Sequence, residues 1–279
     1  MTIETLSRDG FALAIAPQMG GSVISFTHEG RPIFRDGRQA SSAVDTSAFP
    51  LLPFASRITD GRFMFDGRAV QLALNFPPEP HALHGNGWQS AWQVAEKSQT
   101  TLTIKFNHNG TDWPWRFEAA QRFKVTPTGL QLVMSITNQD RTPMPAGLGW
   151  HPFFSTVNAT VNARTDSIWL NHKPTPQTSS NDLSRLRQVG DFLVDNIYEW
   201  QARRAEIMLD NFALTMTASD IFNQLTVYTP ADQPHFCVEP VSHAPDALNL
   251  SLPQSKTGLR ILAPGETLAG QIDLAVAPR

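Results

Sequence analysis

The sequence predicts an all-β fold, a large antiparallel β-sandwich, from three observations. Apolar residues recur at every second position in several segments, amphipathic helix spacing is almost absent, and 21 prolines and 17 glycines punctuate 279 residues. Alternation of this kind is typical of strands with one buried face. Frequent turns are what many short strands require. No repeat or linker divides the sequence, so we expect a single domain over residues 1–279.

Local turn and strand patterns recur along the chain. Asp66-Gly67 separates two alternating segments, 63–65 and 69–72, and predicts a two-residue hairpin. Segments 102–106, 117–125 and 130–137 each place an apolar residue at nearly every second position, as half-buried strands do. The turn sequence Pro127-Thr128-Gly129 joins the last two of them.

One polar stretch, residues 171–191, interrupts this pattern. Leu183, Leu186 and Val189 give it the best candidate for helix-like spacing in the chain. We therefore expect a long loop that carries at most one helical turn.

Composition excludes several classes of partner. The net charge of -3 provides no basic patch for nucleic acid and no run of like charges for an anionic membrane surface. The N-terminal residues lack a signal-peptide pattern, and no apolar run approaches the roughly 18 to 20 residues that span a bilayer. Cys237 is the only cysteine, which excludes an internal disulfide and fits a reducing compartment. We expect a soluble, cytoplasmic globular protein.

Two titratable residues stand beside prolines in apolar strings. Glu239 lies in FCVEPV (236–241), where a carboxylate is costly unless it is hydrogen-bonded or used in chemistry. The alternative is that alternation turns it to solvent. His151 lies in GWHPFF (149–154) and is either a proton donor and acceptor near neutral pH or a core histidine bonded to a carbonyl.

His84 precedes the glycine turn at 85–87, so its ring is either presented at a functional loop tip or is an ordinary surface histidine. With His81 it forms an H-x-x-H pair, a possible metal motif. Because no helix aligns the pair and no cysteine cluster completes a site, we predict no metal here.

Three further residues are candidates for ligand binding. Arg57 follows an apolar run and either extends along the surface or reaches inward to a polar ligand. Asp195 begins DNIYEW (195–200), where Asp-Asn is also a good turn starter. Trp88 offers a flat face to a pyranose ring or packs in the core.

Taken together, these strings resemble the aldose 1-epimerase (mutarotase) family. Five occur in the family's order: PFASRI (53–58), LHGNGW (83–88), GWHPFF (149–154), DNIY (195–198) and CVEP (237–240). LAPGE (262–266) is similar to the family's closing strand, so the resemblance covers nearly the whole chain. It implies a galactose-mutarotase-like sandwich that interconverts the α and β anomers of an aldose without a cofactor.

The resemblance also implies residue roles. Glu239 matches the general base that takes the proton of the C1 hydroxyl, and His151 matches the general acid that protonates the ring oxygen. His84 matches a hydrogen-bond partner near C1, while Arg57 and Asp195 match residues that hold sugar hydroxyls. Such a pair opens and closes a hemiacetal with neither a metal nor a covalent intermediate.

The chain departs from the family pattern in places. Ser56 stands where an asparagine commonly precedes the arginine, and Phe154 replaces the more usual tyrosine. The segment from Glu239 to Asp246 is more similar to a bacterial branch whose sugars are undefined. Asp210 offers a competing match to the short pattern of Asp195.

Alternative functions remain open at this point. A hexose-6-phosphate epimerase would need more basic residues, and the clustered candidates Arg35, Arg38 and Arg62 share no evident face with Arg57. A non-catalytic sugar-binding or sensor domain would not need both Glu239 and His151. Glycoside hydrolysis usually needs two carboxylates, and Glu239 alone has a strong context. The identity of the sugar and the oligomeric state do not follow from the sequence.

Overall fold

The computed structural model describes residues 2–170, 173–175, 182–185 and 187–279. The first strands within these ranges are β1 (Glu4–Arg8), β2 (Phe11–Ala16), β3 (Ser22–His28), β4 (Arg31–Pro32), β5 (Ala48–Leu51), β6 (Arg57–Ile58), β7 (Arg62–Phe65), β8 (Arg68–Gln71), β9 (Ala82–Leu83), β10 (Gln93–Lys97), β11 (Thr101–Asn109), β12 (Arg116–Thr126) and β13 (Gly129–Asn138). They continue as β14 (Met144–Ala146), β15 (Gly149–Ser155), β16 (Thr160–Ala163), β17 (Ser167–Leu170), β18 (Lys173–Thr175), β19 (Arg187–Gln188), β20 (Asp195–Glu199), β21 (Arg204–Met208), β22 (Phe212–Ala218), β23 (Gln224–Tyr228), β24 (His235–Val241), β25 (Arg260–Leu262) and β26 (Thr267–Pro278). Helical structure in the described ranges is confined to the one-turn helix α1 (Gln254–Thr257) and 3-10 turns at Ala43–Asp45, Thr59–Gly61 and Gly87–Gln89.

Most of these strands belong to two large antiparallel sheets. The first sheet runs in the order β1-β2-β3-β5-β15-β24-β23-β20-β17-β18, with β4 added beside β3. The second sheet runs β10-β11-β12-β13-β26-β22-β21-β16-β19. Short two-stranded pairs, β6 with β9, β7 with β8 and β14 with β25, connect the sheets. This architecture confirms the predicted antiparallel β-sandwich. In the part of the chain that the structure describes, no helix is long and apolar enough to cross a membrane.

The core lies between the two sheets, and strand alternation decides which residues enter it. On β15, Trp150 and Phe154 belong to the core cluster, as do Phe236 and Val238 on β24. The residues between them in sequence point to the opposite face of the first sheet, because successive side chains on a strand alternate. That opposite face therefore receives the odd-numbered residues of β15 and β24.

The predicted strands are confirmed. Segments 102–106, 117–125 and 130–137 lie within β11, β12 and β13, which pair as consecutive antiparallel strands. Asp66 and Gly67 both have positive φ, 49° and 72°, and close the β7–β8 hairpin. This is the backbone conformation that a two-residue turn of this type requires.

The sequence predicts that the stretch 171–191 is a long loop with at most one helical turn, and its described part differs in containing short strands. Its described residues include the short edge strands β18 and β19 and no helix, while Leu186 lies outside the described residues. Leu183 and Val189 are buried in the core cluster. Ala163 N–H donates to the Leu183 carbonyl, and Val189 N–H donates to the Ala159 carbonyl. The apolar spacing thus anchors an extended segment to the sheet edge instead of forming a helix face.

Candidate active site

A cavity of about 500 Å³ lies on the face of the first sheet that points away from the core. Neighbouring strands of that sheet form its floor with Phe49, His151, Phe153, Trp169, Asp195, Ile197, Thr226, Tyr228, His235 and Glu239. The loops that contain β6 and β9 add Arg57, His84 and Trp88. The cavity thus brings together every residue that the sequence singled out for catalysis or sugar binding.

Glu239 and His151 meet in the floor of this cavity. The β15–β24 register pairs Gly149 with Val241 and Phe153 with Cys237, which sets His151 directly across from Glu239. His151 Nε2 lies 3.3 Å from Glu239 Oε1, and the two side chains are only 11% and 3% exposed. The antiparallel ladder therefore fixes the separation of a buried imidazole and a buried carboxyl group.

Burial shifts the pKa values of this pair in opposite directions. Loss of solvation raises the pKa of Glu239 well above its ordinary value, and the charge of Asp195 adds to the effect. Loss of solvation lowers the pKa of His151 well below 6.5, with smaller contributions from His84 and Arg35. Both shifts favour the neutral form of each group, a protonated carboxyl beside an unprotonated imidazole. Transfer of that proton from carboxyl to imidazole leaves the net charge of the pair unchanged.

Aromatic packing holds the His151 ring in place. Its centroid lies 4.6 Å from that of Phe49 and 4.6 Å from that of Phe153, with interplanar angles of 27° and 26°. His151 Nδ1 is buried and has no hydrogen-bond partner among the described residues. Ring contacts on both sides therefore help to orient the imidazole toward Glu239.

His84 has a defined tautomer. Its ring Nδ1 accepts a hydrogen bond from the Ser56 backbone N–H at 3.1 Å, and the backbone N–H of His84 donates to the Ser56 carbonyl at 2.8 Å. In the neutral ring the proton must then be on Nε2. Burial, assisted by the charge of Arg57, lowers the pKa of His84 to about 3. His84 therefore acts as a neutral hydrogen-bond donor.

The backbone around His84 is constrained. His84 and Ser56 both adopt left-handed conformations, with φ of 58° and 57°. Gly85 follows with φ 67°, and a Cβ there would lie 2.1 Å from the Leu52 carbonyl oxygen. Only glycine fits this position, which explains why the histidine is followed at once by a glycine turn.

Arg57 and Asp195 form an ion pair at the rim. Arg57 Nη2 lies 3.1 Å from Asp195 Oδ2, and the side chains are 45% and 53% exposed. The pair joins β6 to β20. The competing match, Asp210, accepts a hydrogen bond from Asn158 Nδ2 and is not part of the cavity lining.

Trp88 is nearly buried in the cavity wall. Its ring stacks on Phe49 with centroids 5.4 Å apart, and its Nε1–H donates to the Gly85 carbonyl at 3.0 Å. Packing therefore already uses part of the flat surface that the sequence suggested for a sugar.

Arg35 lines the same cavity as Arg57, which the sequence argument did not expect. Its guanidinium carbon lies 3.6 Å from the Phe153 ring centroid, Nε donates to the Thr46 carbonyl, and Nη1 lies 3.4 Å from His235 Nδ1. A signal was present, because Arg35 follows the buried residues Ile33 and Phe34 just as Arg57 follows an apolar run.

The other basic and histidine candidates lie elsewhere. Arg38 pairs with Asp36 on the surface, and Arg62 donates to the Gln71 side chain. His81 Nδ1 accepts the Asp60 N–H, and His81 does not line the cavity. The two histidines of the H-x-x-H pair are therefore held by separate backbone contacts.

Comparison with known proteins decides the family. The family model described as aldose 1-epimerase matches residues 3–275. The chain belongs to the aldose 1-epimerase family. This confirms the resemblance that the five sequence motifs indicated.

The aldose 1-epimerase relatives include bacterial proteins of undefined specificity. YphB of Escherichia coli strain K12, an uncharacterised protein, is 32% identical over 295 aligned positions that cover 99% of each chain. A crystal structure from Escherichia coli K12, provisionally described as an aldose 1-epimerase, superposes with a TM-score of 0.91 and 30% identity, covering 100% of this chain and 99% of that one. A galactose mutarotase-like protein from Clostridium acetobutylicum has a TM-score of 0.87 and 18% identity over 99% and 95% of the chains, which establishes the shared fold.

Proposed function

We propose that the protein interconverts the α and β anomers of an aldose by acid–base opening and closure of the hemiacetal ring. The observation that carries this proposal is the Glu239–His151 pair, buried in the cavity floor with Oε1 and Nε2 3.3 Å apart. Ring opening requires one oxygen to lose a proton while another gains one. Two titratable groups with oppositely shifted pKa values are suited to that exchange.

Transfer of a proton from Glu239 to His151 first converts the neutral pair into its reactive carboxylate–imidazolium form. Glu239 takes the proton of the C1 hydroxyl as that oxygen becomes the aldehyde carbonyl. The bond between C1 and the ring oxygen breaks, and His151 delivers its proton to the ring oxygen. Rotation about the C1–C2 bond then presents the other aldehyde face, and the same two groups reverse their roles to close the ring. Protons and electrons balance within the pair and the sugar.

His84 supports the charge that develops near C1. With Nδ1 occupied by the Ser56 N–H, its Nε2–H is free to donate to a sugar oxygen. Its low pKa keeps it neutral, so it does not compete with His151 for a proton at neutral pH. A fixed donor of this kind needs no reorientation during the reaction.

Arg57, Asp195 and Trp88 hold the sugar above the pair. The ion pair of Arg57 and Asp195 offers a cationic donor and an anionic acceptor to adjacent hydroxyls at the exposed rim. Charged hydrogen bonds to hydroxyls are stronger than neutral ones. Trp88 lines the cavity wall beside them.

Two alternatives differ from this proposal in what they require. A phosphorylated hexose needs an anion site, and Arg35 in the cavity is the observation that favours it. However, Arg35 Nε and Nη2 already donate to the carbonyls of Thr46 and Val44. A non-catalytic sugar-binding domain gains nothing from a buried carboxyl facing a buried imidazole, because each costs free energy to bury.

Saturation-transfer NMR of anomer exchange tests the proposal. Purified protein is incubated with a panel of aldoses that includes glucose, galactose and their 6-phosphates. Exchange above the spontaneous rate with free sugars supports mutarotation of a free aldose. Exchange confined to the 6-phosphates supports a hexose-6-phosphate epimerase. Line broadening without exchange would assign the protein to the sugar-binding class.

A further inference from the structure

Cys237 lies beside the Glu239–His151 pair but has no role in the proton transfers. It precedes Glu239 by two residues on β24, so the thiol and the carboxyl group share the cavity face of the strand. Cys237 is fully buried. Its Sγ, a ring nitrogen of His151 and a carboxylate oxygen of Glu239 all lie within 4.8 Å of one another.

This spacing matches the demands of a tetrahedral metal site. Zinc binds thiolate, imidazole and carboxylate ligands at about 2.0 to 2.3 Å, so its donor atoms lie roughly 3.3 to 3.8 Å apart. His151 and Glu239 already have such a separation, 3.3 Å. The thiol needs a shift of about 1 Å at most to complete three corners of the tetrahedron.

The charges of the three ligands also suit a divalent cation. Thiolate and carboxylate carry one negative charge each and the imidazole is neutral, so the occupied site has no net charge. A neutral cluster avoids the cost of an isolated charge in this buried floor. The ligand set of sulfur, nitrogen and one oxygen favours Zn²⁺, Cd²⁺ or Co²⁺ over Mg²⁺ and Ca²⁺.

We propose that His151, Cys237 and Glu239 bind a thiophilic divalent cation such as Zn²⁺, and that the bound cation inhibits the protein. The cation occupies the two groups that the sugar needs, so metal and sugar compete. Thiolate and carboxylate bind a metal in their deprotonated forms, so metal binding releases protons. The inhibition rests on the proposed function, whereas the binding itself does not.

Cobalt spectroscopy on the untagged protein tests the binding. Cys237 is the only cysteine, so a sulfur-to-cobalt charge-transfer band on addition of Co²⁺ can arise only there. The proposal predicts this band in the wild type and its loss in Cys237→Ser. Cys237→Ala serves as a second variant, with circular dichroism to show that each is folded. His81→Asn is the matched control for adventitious histidine binding and retains the band.

Calorimetry and inhibition complete the experiment. Zn²⁺ is expected to bind the wild type and inhibit anomer exchange competitively with the sugar. Cys237→Ser should weaken both effects at least about tenfold, the loss that even indirect partners of a metal cause. Absence of the band at saturating Co²⁺, or equal zinc affinity in the wild type and Cys237→Ser, would overturn the proposal. Metal binding is measured without a sugar. Failure of the proposed function would therefore appear separately, as a metal-free protein that shows no anomer exchange.

Discussion

Glu239 Oε1 and His151 Nε2 lie 3.3 Å apart because β24 and β15 are paired antiparallel neighbours. On the same strands, Phe236 and Phe154 fill the core between the sheets. Alternation thus uses one face of each strand for stability and the other for a buried acid–base pair. A shift of the register by one residue would separate the pair and turn apolar residues into the cavity.

Replacement of His151 tests the proton donor to the ring oxygen. We expect His151→Asn to reduce the rate of anomer exchange by about 10² to 10⁴, the usual contribution of a general acid. His81→Asn, outside the cavity, is the matched control and should retain wild-type activity. Thermal unfolding checks that both variants are folded. Wild-type exchange by His151→Asn would exclude it as the acid.

The pH profile tests the shared proton. The active pair holds one proton, and a second is added as pH falls through the pKa of His151, which burial lowers well below 6.5. We therefore expect the acid limb of kcat/KM to lie clearly below pH 6.5, and activity to fall again at higher pH, where the pair loses its single proton. The profile reports the pair in the free enzyme. An acid limb at or above pH 6.5 would contradict the description of the site.

Replacement of Asp195 tests ligand binding at the rim of the cavity. We expect Asp195→Asn to raise KM about tenfold, the equivalent of one charged hydrogen bond, with a smaller change in kcat. Asp210→Asn provides a control with the same substitution at the competing sequence match, which lies outside the cavity lining, and should change neither constant. A larger effect at Asp210 would reverse the assignment.

Acid stability provides a test that is independent of the substrate. Burial lowers the pKa of His243 to about 4, and that of His84 to about 3. Below pH 6.5 the unfolded chain binds these protons while the folded protein does not, so stability falls as pH falls. The buried His243 alone contributes about 3 kcal/mol to this loss between pH 6.5 and 4. The raised pKa of Glu239 acts in the opposite direction, but it is one group against several histidines.

Thermal unfolding as a function of pH measures this effect. We expect the melting temperature to fall steadily from pH 6.5 toward pH 4. A constant melting temperature over that range would show that these histidines are charged in the folded state.

Metal chelation distinguishes a metal ion that the reaction requires from one that inhibits it. Because the acid–base pair performs both proton transfers, we expect EDTA to leave the exchange rate unchanged, or to raise it if the preparation contains zinc. Loss of activity with EDTA that a divalent ion restores would instead make a metal part of the reaction.

Local patterns predicted those parts of the fold and cavity that depend on near neighbours. The alternation in 117–125 and 130–137 gave β12 and β13, because the period of side chains on a strand is set by the strand itself. The five strings likewise indicated the residues that the cavity brings together.

What the sequence did not show depends on long-range pairing. Arg35 reaches the cavity because its backbone N–H donates to the Phe153 carbonyl and its side chain contacts Thr46 and His235. The apolar residues before Arg35 mark it as a candidate, but no local pattern encodes which distant strand its loop will meet. The same holds for residues 187–188, whose pairing with β16 made an edge strand from an apparent helix spacing.

The proposed reaction depends above all on Glu239 as the base that opens the sugar ring. Saturation-transfer NMR of anomer exchange, on the wild type and Glu239→Gln with the most active sugar of the panel, tests it most directly. We predict exchange above the spontaneous rate in the wild type. Glu239→Gln should lose exchange by about 10² or more while the sugar still broadens on binding. Equal exchange in the two proteins would contradict the account.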